Sequence, residues 1–274
     1  MSSVIAIYRD ACFSPNSVAA DRSIMDATIG RLDQHQVLAI AEHELGEQHR
    51  ADLFLSMGRL PRTIQLLKAR EQQNRALVIN NAAALERFSR RHILQMMQEN
   101  GIPTPPETGE HGYWVKRADS AAQTKADVVF CSDKATVEQT KRNFALRGVD
   151  DVVVSAHVVG DLIKFYGVGD SFFWYFYPTD NGHSKFGNEK RNGIAQYFGF
   201  NLHELRAAAT RLARLTGIDV YGGDCIVDCE GCFFIIDFND WPSFSPCREQ
   251  AADAISLFVN QLLAAQNNSQ QKNG

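Results

Sequence analysis

One run near the C-terminus, Phe233-Phe234-Ile235-Ile236-Asp237-Phe238-Asn239-Asp240-Trp241-Pro242, holds the densest chemistry in the chain. Its apolar, β-branched start reads as a strand. Side chains alternate along a strand, so Asp237 and Asn239 share one face while Ile236 and Phe238 take the other. A carboxylate and an amide oxygen two residues apart suit a hard, oxygen-seeking cation. Upstream, Gly222-Gly223-Asp224 places a second carboxylate on a strand that hairpin pairing across Asp228–Gly231 brings near Asp237. Asp224, Asp237 and Asn239 together fit Mg²⁺, which keeps waters and bridges to phosphates. Strand ends and turns would account for the same residues equally well.

Two further pieces carry charge. Tyr113-Trp114-Val115-Lys116 ends an apolar strand on a lysine, which suits a phosphate if it points inward and solvent if it snorkels. Val152 to Ser155 is a strand that continues through Ala156-His157-Val158-Val159-Gly160-Asp161 into a second strand bearing Lys164. Backbone groups at such a crossing can pair with a base edge.

The elements around these residues follow from periodicity. Val4–Tyr8, Val37–Ile40, Ala51–Leu55 and Ala76–Ile79 read as strands, and 17–34 and 61–71 as helices. That alternation predicts a parallel sheet over residues 1–80. No glycine-rich dinucleotide fingerprint follows the first strand. Asn80 to Asn100 reads as one helix stopped by Gly101-Ile102-Pro103. Val128–Cys131 is a strand and Thr136–Arg147 a helix. Leu162 to Tyr177 reads as two strands turning near Gly169-Asp170. Leu202–Leu215 is a helix closed by Gly217, and Glu249–Ala265 is the last helix. The polar residues after Gln266 read as disordered.

Composition sets the class. The 274 residues are 45% hydrophobic and 22% charged, as in a globular protein of one or two domains. A net charge of −4 gives no bulk basic field for nucleic acid. No apolar run approaches the ~18 residues of a membrane span. Six cysteines and no secretory leader point to reduced thiols in the cytoplasm. Cys225, Cys229 and Cys232 have zinc-like spacing but lack a fourth ligand nearby. Phe172–Tyr177 is an aromatic strand better suited to a core than to stacking on a base.

Taken in order, Ser89-Arg90, Gly101-Ile102-Pro103, Lys116, Val153–Val158, Lys164, Asp224 and Asp237-x-Asn239 with Pro242 resemble the ATP-grasp fold from about Asn80 to Ala265. The resemblance implies an α/β (α+β) chain: an ATP-grasp domain over 81–266, with a smaller flap subdomain at 107–156, after a Rossmann-like parallel-sheet domain over 1–80 and before a tail at 267–274. It implies ATP and Mg²⁺ as cofactors. Lys116 and Arg90 would hold phosphates, and Val154, Ser155, Ala156, His157 and Val158 would line the adenine pocket. Asp161 would reach the ribose. Lys164 would face the γ-phosphate or the acceptor, with Arg191 and Arg248 as further catalytic groups. Asp224, Asp237 and Asn239 would bind Mg²⁺.

Three departures stand out. The stretch 117–125 lacks the flap glycines, Ser155-Ala156 replaces a hinge Glu, and Asp237 stands where many ligases have Glu. The activity implied is a carboxylate–amine ligase acting on a small-molecule or peptide acceptor. Lys164–Asp170 with His157 also resembles the inositol trisphosphate kinases, which gives a small-molecule kinase as the alternative. A nucleotide-binding module without turnover is a third reading. The acceptor is expected near loops 9–16 and 56–59, near Lys185–Asn192 with Lys190 and Arg191, and near Ser243, Ser245 and Arg248. Oligomeric state is left open, a homodimer included.

Overall fold

A computed structural model describes residues 1–73, 76–119, 124–181 and 191–272. Strands β1 (Ser3–Tyr8), β2 (Gln36–Ala41), β3 (Leu53–Ser56) and β4 (Leu77–Ile79) form a parallel sheet in the order β2-β1-β3-β4. Parallel strands need crossovers, and α1 (Val18–Ile29) and α2 (Pro61–Gln72) lie on two of them. Pro61 opens α2, where its missing N–H costs nothing.

The single helix expected over 80–100 is two helices, α3 (Ala82–Glu86) and α4 (Arg90–Glu99). Each begins at its own side-chain cap. The Asn81 side chain accepts from the Ala84 N–H at 2.8 Å, and Ser89 accepts from His92 N–H at 3.2 Å. The end of α4 is as the sequence suggests. Gly101 takes φ +63°, its N–H bonds to the Gln98 carbonyl, and the Ile102 N–H bonds to that of Met97. Ile102 then packs beside Ile93 and Met97.

A three-stranded antiparallel sheet, β6-β5-β7, follows from β5 (Tyr113–Arg117), β6 (Val128–Cys131) and β7 (Val152–Ala156). Helix α5 (Lys134–Leu146) covers one side, with Val137 and Phe144 buried against Val115. The third sheet, β11-β10-β8-β9, joins β8 (Asp161–Val168), β9 (Phe172–Phe176), β10 (Val220–Val227) and β11 (Phe233–Asp240). Helix α6 (Leu202–Thr216) buries Leu205, Ala209 and Leu212 against it and ends at Gly217 in the left-handed region. Trp174 and Phe176 on β9 pack against Tyr166, so this aromatic strand serves the sheet rather than the cavity described below.

The last helix, α7 (Arg248–Lys272), continues past Ala265 into the tail expected to be disordered. No glycine or proline interrupts that stretch. No helix among the described residues is long and apolar enough to cross a membrane.

Two devices bind the parallel sheet to the third sheet. The Asn80 side chain donates to the Val220 carbonyl at 2.8 Å and accepts from its N–H at 2.7 Å, replacing a strand neighbour at the start of β10. After β11 the chain turns through Trp241 (φ +41°) and Phe244 (φ +50°), both fully buried. Their rings share one core with Ile24 and Met25 of α1, Leu53 and Leu55 of β3, and Ile255 of α7.

Gly223 shows how close the strands of the third sheet run. A Cβ there would lie 2.4 Å from the Asp237 carbonyl oxygen and 2.4 Å from the Phe165 ring. Gly223→Ala is expected to destabilise the protein by about 1–3 kcal/mol through overpacking, as measured by urea unfolding.

Candidate active site

The three sheets meet around a cavity of about 350 Å³. Lys116 of β5, Arg90 at the start of α4, Lys164 of β8, Asp224 of β10, and Asp237 and Asn239 of β11 all line it. So do Ser155, Ala156, His157 and Val158 at the end of β7. Asp224 and Asp237 are cross-strand partners. Like charges so placed repel, and three cations offset the repulsion. Lys164 lies at 3.1 and 3.3 Å from the Asp224 oxygens, and Arg90 at 3.4 and 3.5 Å from those of Asp237. The Lys116 ammonium donates to the Ile236 carbonyl at 2.9 Å.

The electrostatics follow from this packing. Burial acts to raise the Asp237 pKa, but Arg90 and Lys116 outweigh it and hold the carboxyl below its ordinary value. Burial pulls Lys116 down to about 8, with Asp237 resisting and Arg90 assisting. The Arg90 guanidinium also donates to the Arg117 carbonyl, while its Nε is buried without a partner.

A β-bulge between Asp224 and Cys225 changes the faces of β11. Asp224 pairs with Asp237, but Cys225 pairs with Ile235, so Ile236 is skipped. Ile236 was expected opposite Asp237; instead both line the cavity.

Several expected site residues lie elsewhere. Val154 packs in the core of the small sheet, and neither it nor Asp161 lines the cavity. Asp161 is 3% exposed, and its carboxylate accepts the backbone N–H groups of Gln196 at 2.6 Å and Phe198 at 2.8 Å. It anchors a loop and is not turned to a ribose. Arg191 lies 3.5 Å from the centre of the Phe130 ring, and Phe130 packs on Trp114 and His157. A catalytic place for Arg191 beside the carboxylates is therefore withdrawn. Arg248 does not line the cavity either, and its Nε is buried without a partner. Lys190 and part of the 117–125 stretch lie outside the described residues. Cys225 is buried while Cys229 and Cys232 are exposed, and no group of three or more His, Cys, Asp or Glu is placed for a metal among the described residues.

The end of the cavity nearest the parallel sheet holds a charged quartet. Arg9 donates to Asp21 at 3.1 Å and to Asp240 at 3.5 Å, and Arg59 bonds both oxygens of Asp240. Asp240 is 1% exposed at its side chain and Arg9 7%. The Glu42 carboxylate accepts the N–H groups of Arg59 and Leu60, which fixes the loop carrying Arg59. The loops of Arg9 and Arg59 were expected here, but the neutralising Asp21 and Asp240 were not. The only sequence signal for Asp240 was its place next to Asn239. Tyr166, Ser17 and Ser243 complete this end.

No protein-family model matches the sequence, and no curated protein matches it. Solved structures match along nearly the whole chain. A D-alanine–D-alanine ligase from Bacillus anthracis superposes with a TM-score of 0.64 at 12% identity, covering 100% of both chains. A RimK domain ATP-grasp protein from Sphaerobacter thermophilus superposes with 0.63 at 16% identity, covering 93% of this chain and 99% of that one. The chain has the ATP-grasp fold. The D-cycloserine synthetase DcsG superposes with a TM-score of 0.59 at 14% identity, over 93% of this chain and 99% of that one. Within the ATP-grasp fold the cavity is the cleft between the two antiparallel sheets, closed at one end by the parallel sheet.

Proposed function

We propose that the chain is an ATP-dependent ligase that joins a small-molecule or peptide carboxylate to an amine. The observation that carries this reading is one cavity lined by three basic side chains, Arg90, Lys116 and Lys164, together with Asp224, Asp237 and Asn239. Structural neighbours named a D-alanine–D-alanine ligase and a D-cycloserine synthetase support it. Arg90 and Lys116 would hold phosphate oxygens; the partnerless Arg90 Nε and the depressed Lys116 pKa both favour an arriving anion. Asp224, Asp237 and Asn239 form an all-oxygen donor set that fits Mg²⁺, whose charge when bound would offset that of the transferring phosphoryl group.

In the proposed reaction a carboxylate oxygen attacks the γ-phosphorus of ATP and ADP leaves. The amine then attacks the acyl carbon and inorganic phosphate leaves. Lys164 would stabilise charge on the moving phosphoryl group. No protein nucleophile is needed.

Charge separates this from the kinase reading. The cavity carries five basic and four acidic side chains, and Arg9 and Arg59 are already balanced by Asp21 and Asp240. A polyphosphorylated acceptor would find no surplus cation within that quartet. All six cysteines are free thiols, which supports a cytoplasmic place.

The test is the fate of γ-labelled ATP with Mg²⁺ and a small-molecule extract. Extract-dependent label in inorganic phosphate, with a hydroxamate formed when hydroxylamine is added, is the expected result. Label in a stable, hydroxylamine-resistant product would make the protein a kinase, and absence of ADP in every mixture would make it a binding module.

Lys116 adds a pH signature. Its folded pKa of about 8 lies below its unfolded value, so the unfolded chain binds more protons between about 8 and 10.4. Stability from this group therefore rises with pH across that window, and below it the cost of burying the cation is felt in full. A bound polyphosphate should draw the proton back. Calorimetry in buffers of different ionisation enthalpy is expected to show proton uptake on ATP binding near pH 8 and little at pH 6.

A further inference from the structure

Strand β2 is the outer strand of the parallel sheet and pairs only with β1 among the described residues. Its residues, Gln36-Val37-Leu38-Ala39-Ile40-Ala41, carry no charge and no proline. An edge without lysine, proline or a covering element is a template for another strand. None of β2 lines the cavity.

Backbone parity says which groups on this edge are free. The Gln36 N–H bonds to the Ser2 carbonyl at 3.0 Å, and Gln36 stands opposite Ser3. Alternate residues of a parallel strand turn both backbone groups to the same neighbour. Gln36, Leu38 and Ile40 therefore face β1, while Val37, Ala39 and Ala41 face outward. The outward run is closed at both ends. The Ala41 N–H is taken by the Glu44 carboxylate at 2.8 Å, and the His35 N–H by the Leu32 carbonyl at 2.9 Å. Between them, the outward N–H and C=O groups of Val37 and Ala39 have no partner among the described residues. Leu38 is 48% exposed, although it shares a face with Ile40, which is buried in the core beside Leu67 of α2.

We propose that β2 pairs antiparallel with β2 of a second copy of this chain, with Leu38 on the two-fold axis. The two parallel sheets then join into one. The register follows from the free groups. With Leu38 on the axis, Val37 faces Ala39 of the second copy, and each such pair exchanges both of its hydrogen bonds. A shift of two residues either way brings Ala41 or His35 opposite, whose N–H groups are already taken. A shift of one residue sets an outward residue against one that is bonded to β1. The two Leu38 side chains form a non-hydrogen-bonded pair, where side chains come closest across a ribbon, and cover each other. A second copy brings the matching closed run by symmetry, and no charge on β2 opposes its own image.

The experiment is sedimentation velocity of the full chain over roughly 1–100 μM, where a small interface is expected to show monomer converting to dimer. Leu38→Lys sets two ammonium groups together on the axis, and Ala39→Pro removes an N–H that bonds nothing within one copy. Each should weaken the dimer by at least about tenfold with the melting curve unchanged. If Ala39→Pro does not melt cooperatively, Leu38→Lys carries the test, since its side chain is exposed in one copy. Leu38→Cys treated with glutathione disulfide should give a covalent dimer. Gln36→Cys, which falls opposite Ile40, should give no more than the wild type with its own exposed thiols. A wild type that stays monomeric throughout, a dimer that Leu38→Lys leaves intact, or cross-linking by Gln36→Cys and not by Leu38→Cys would overturn the proposal. The ligase reading stands or falls separately, because β2 lies outside the cavity.

Discussion

Asp237→Asn is expected to lower turnover in the labelled-ATP assay by about 10³-fold while the protein stays folded. The substitution keeps size and shape and removes one charge. That charge opposes Arg90 and Lys116 and belongs to the proposed Mg²⁺ donor set, so its loss acts on phosphate placement and on the cation together. The Asp237 side chain is 27% exposed to the cavity, which limits the stability change to about 1 kcal/mol. Asp237 also raises the Lys116 pKa, so the variant's proton uptake on ATP binding should move below pH 8. Turnover within tenfold of the wild type, in a variant with an unchanged melting curve, would remove Asp237 from the site.

Arg59→Met should act mainly on stability. It leaves Asp240 buried with only Arg9 opposite, and Arg9 is shared with Asp21. Breaking a buried pair from one side costs about 3 kcal/mol, because the remaining charge keeps its desolvation penalty. Urea unfolding should show that loss. The double variant Arg59→Met, Asp240→Asn should recover most of it, since no orphaned carboxylate remains. A single variant costing under about 1 kcal/mol, or a double variant no more stable than the single, would show that the four charges do not act as a unit.

Much of the half of the cavity around Lys116 and Asp237 was legible because its signals are local. Lys116 ends an apolar strand, Asp237-x-Asn239 obeys a two-residue period, and Gly101-Ile102 supplies the helix stop that the structure shows. The quartet was less legible because it joins residues up to 231 positions apart, and nothing near Asp21 or Asp240 in sequence marks the arginines they meet. Asn80–Asn100 read as one helix because its apolar spacing runs across both segments, and the caps at Asn81 and Ser89 decide otherwise. Arg191 and Arg248 stand out by residue type and by their places in a polar loop and just after the acidic strand. Neither signal says that one guanidinium lies on Phe130 and the other outside the cavity. Asp161 looked available in sequence because its two bonds come from backbone N–H groups more than thirty residues away.

The extra residue in β11 bears on how distant relatives are compared. Ile236 has no partner on β10, yet Asp237 stands opposite Asp224 and Ile235 opposite Cys225. An alignment that scores residue types without allowing a one-position gap there would match Asp237 to a neighbour facing the wrong side. A relative without the extra residue would still set its two carboxylates side by side, because Asp224 and Cys225 already stand opposite Asp237 and Ile235.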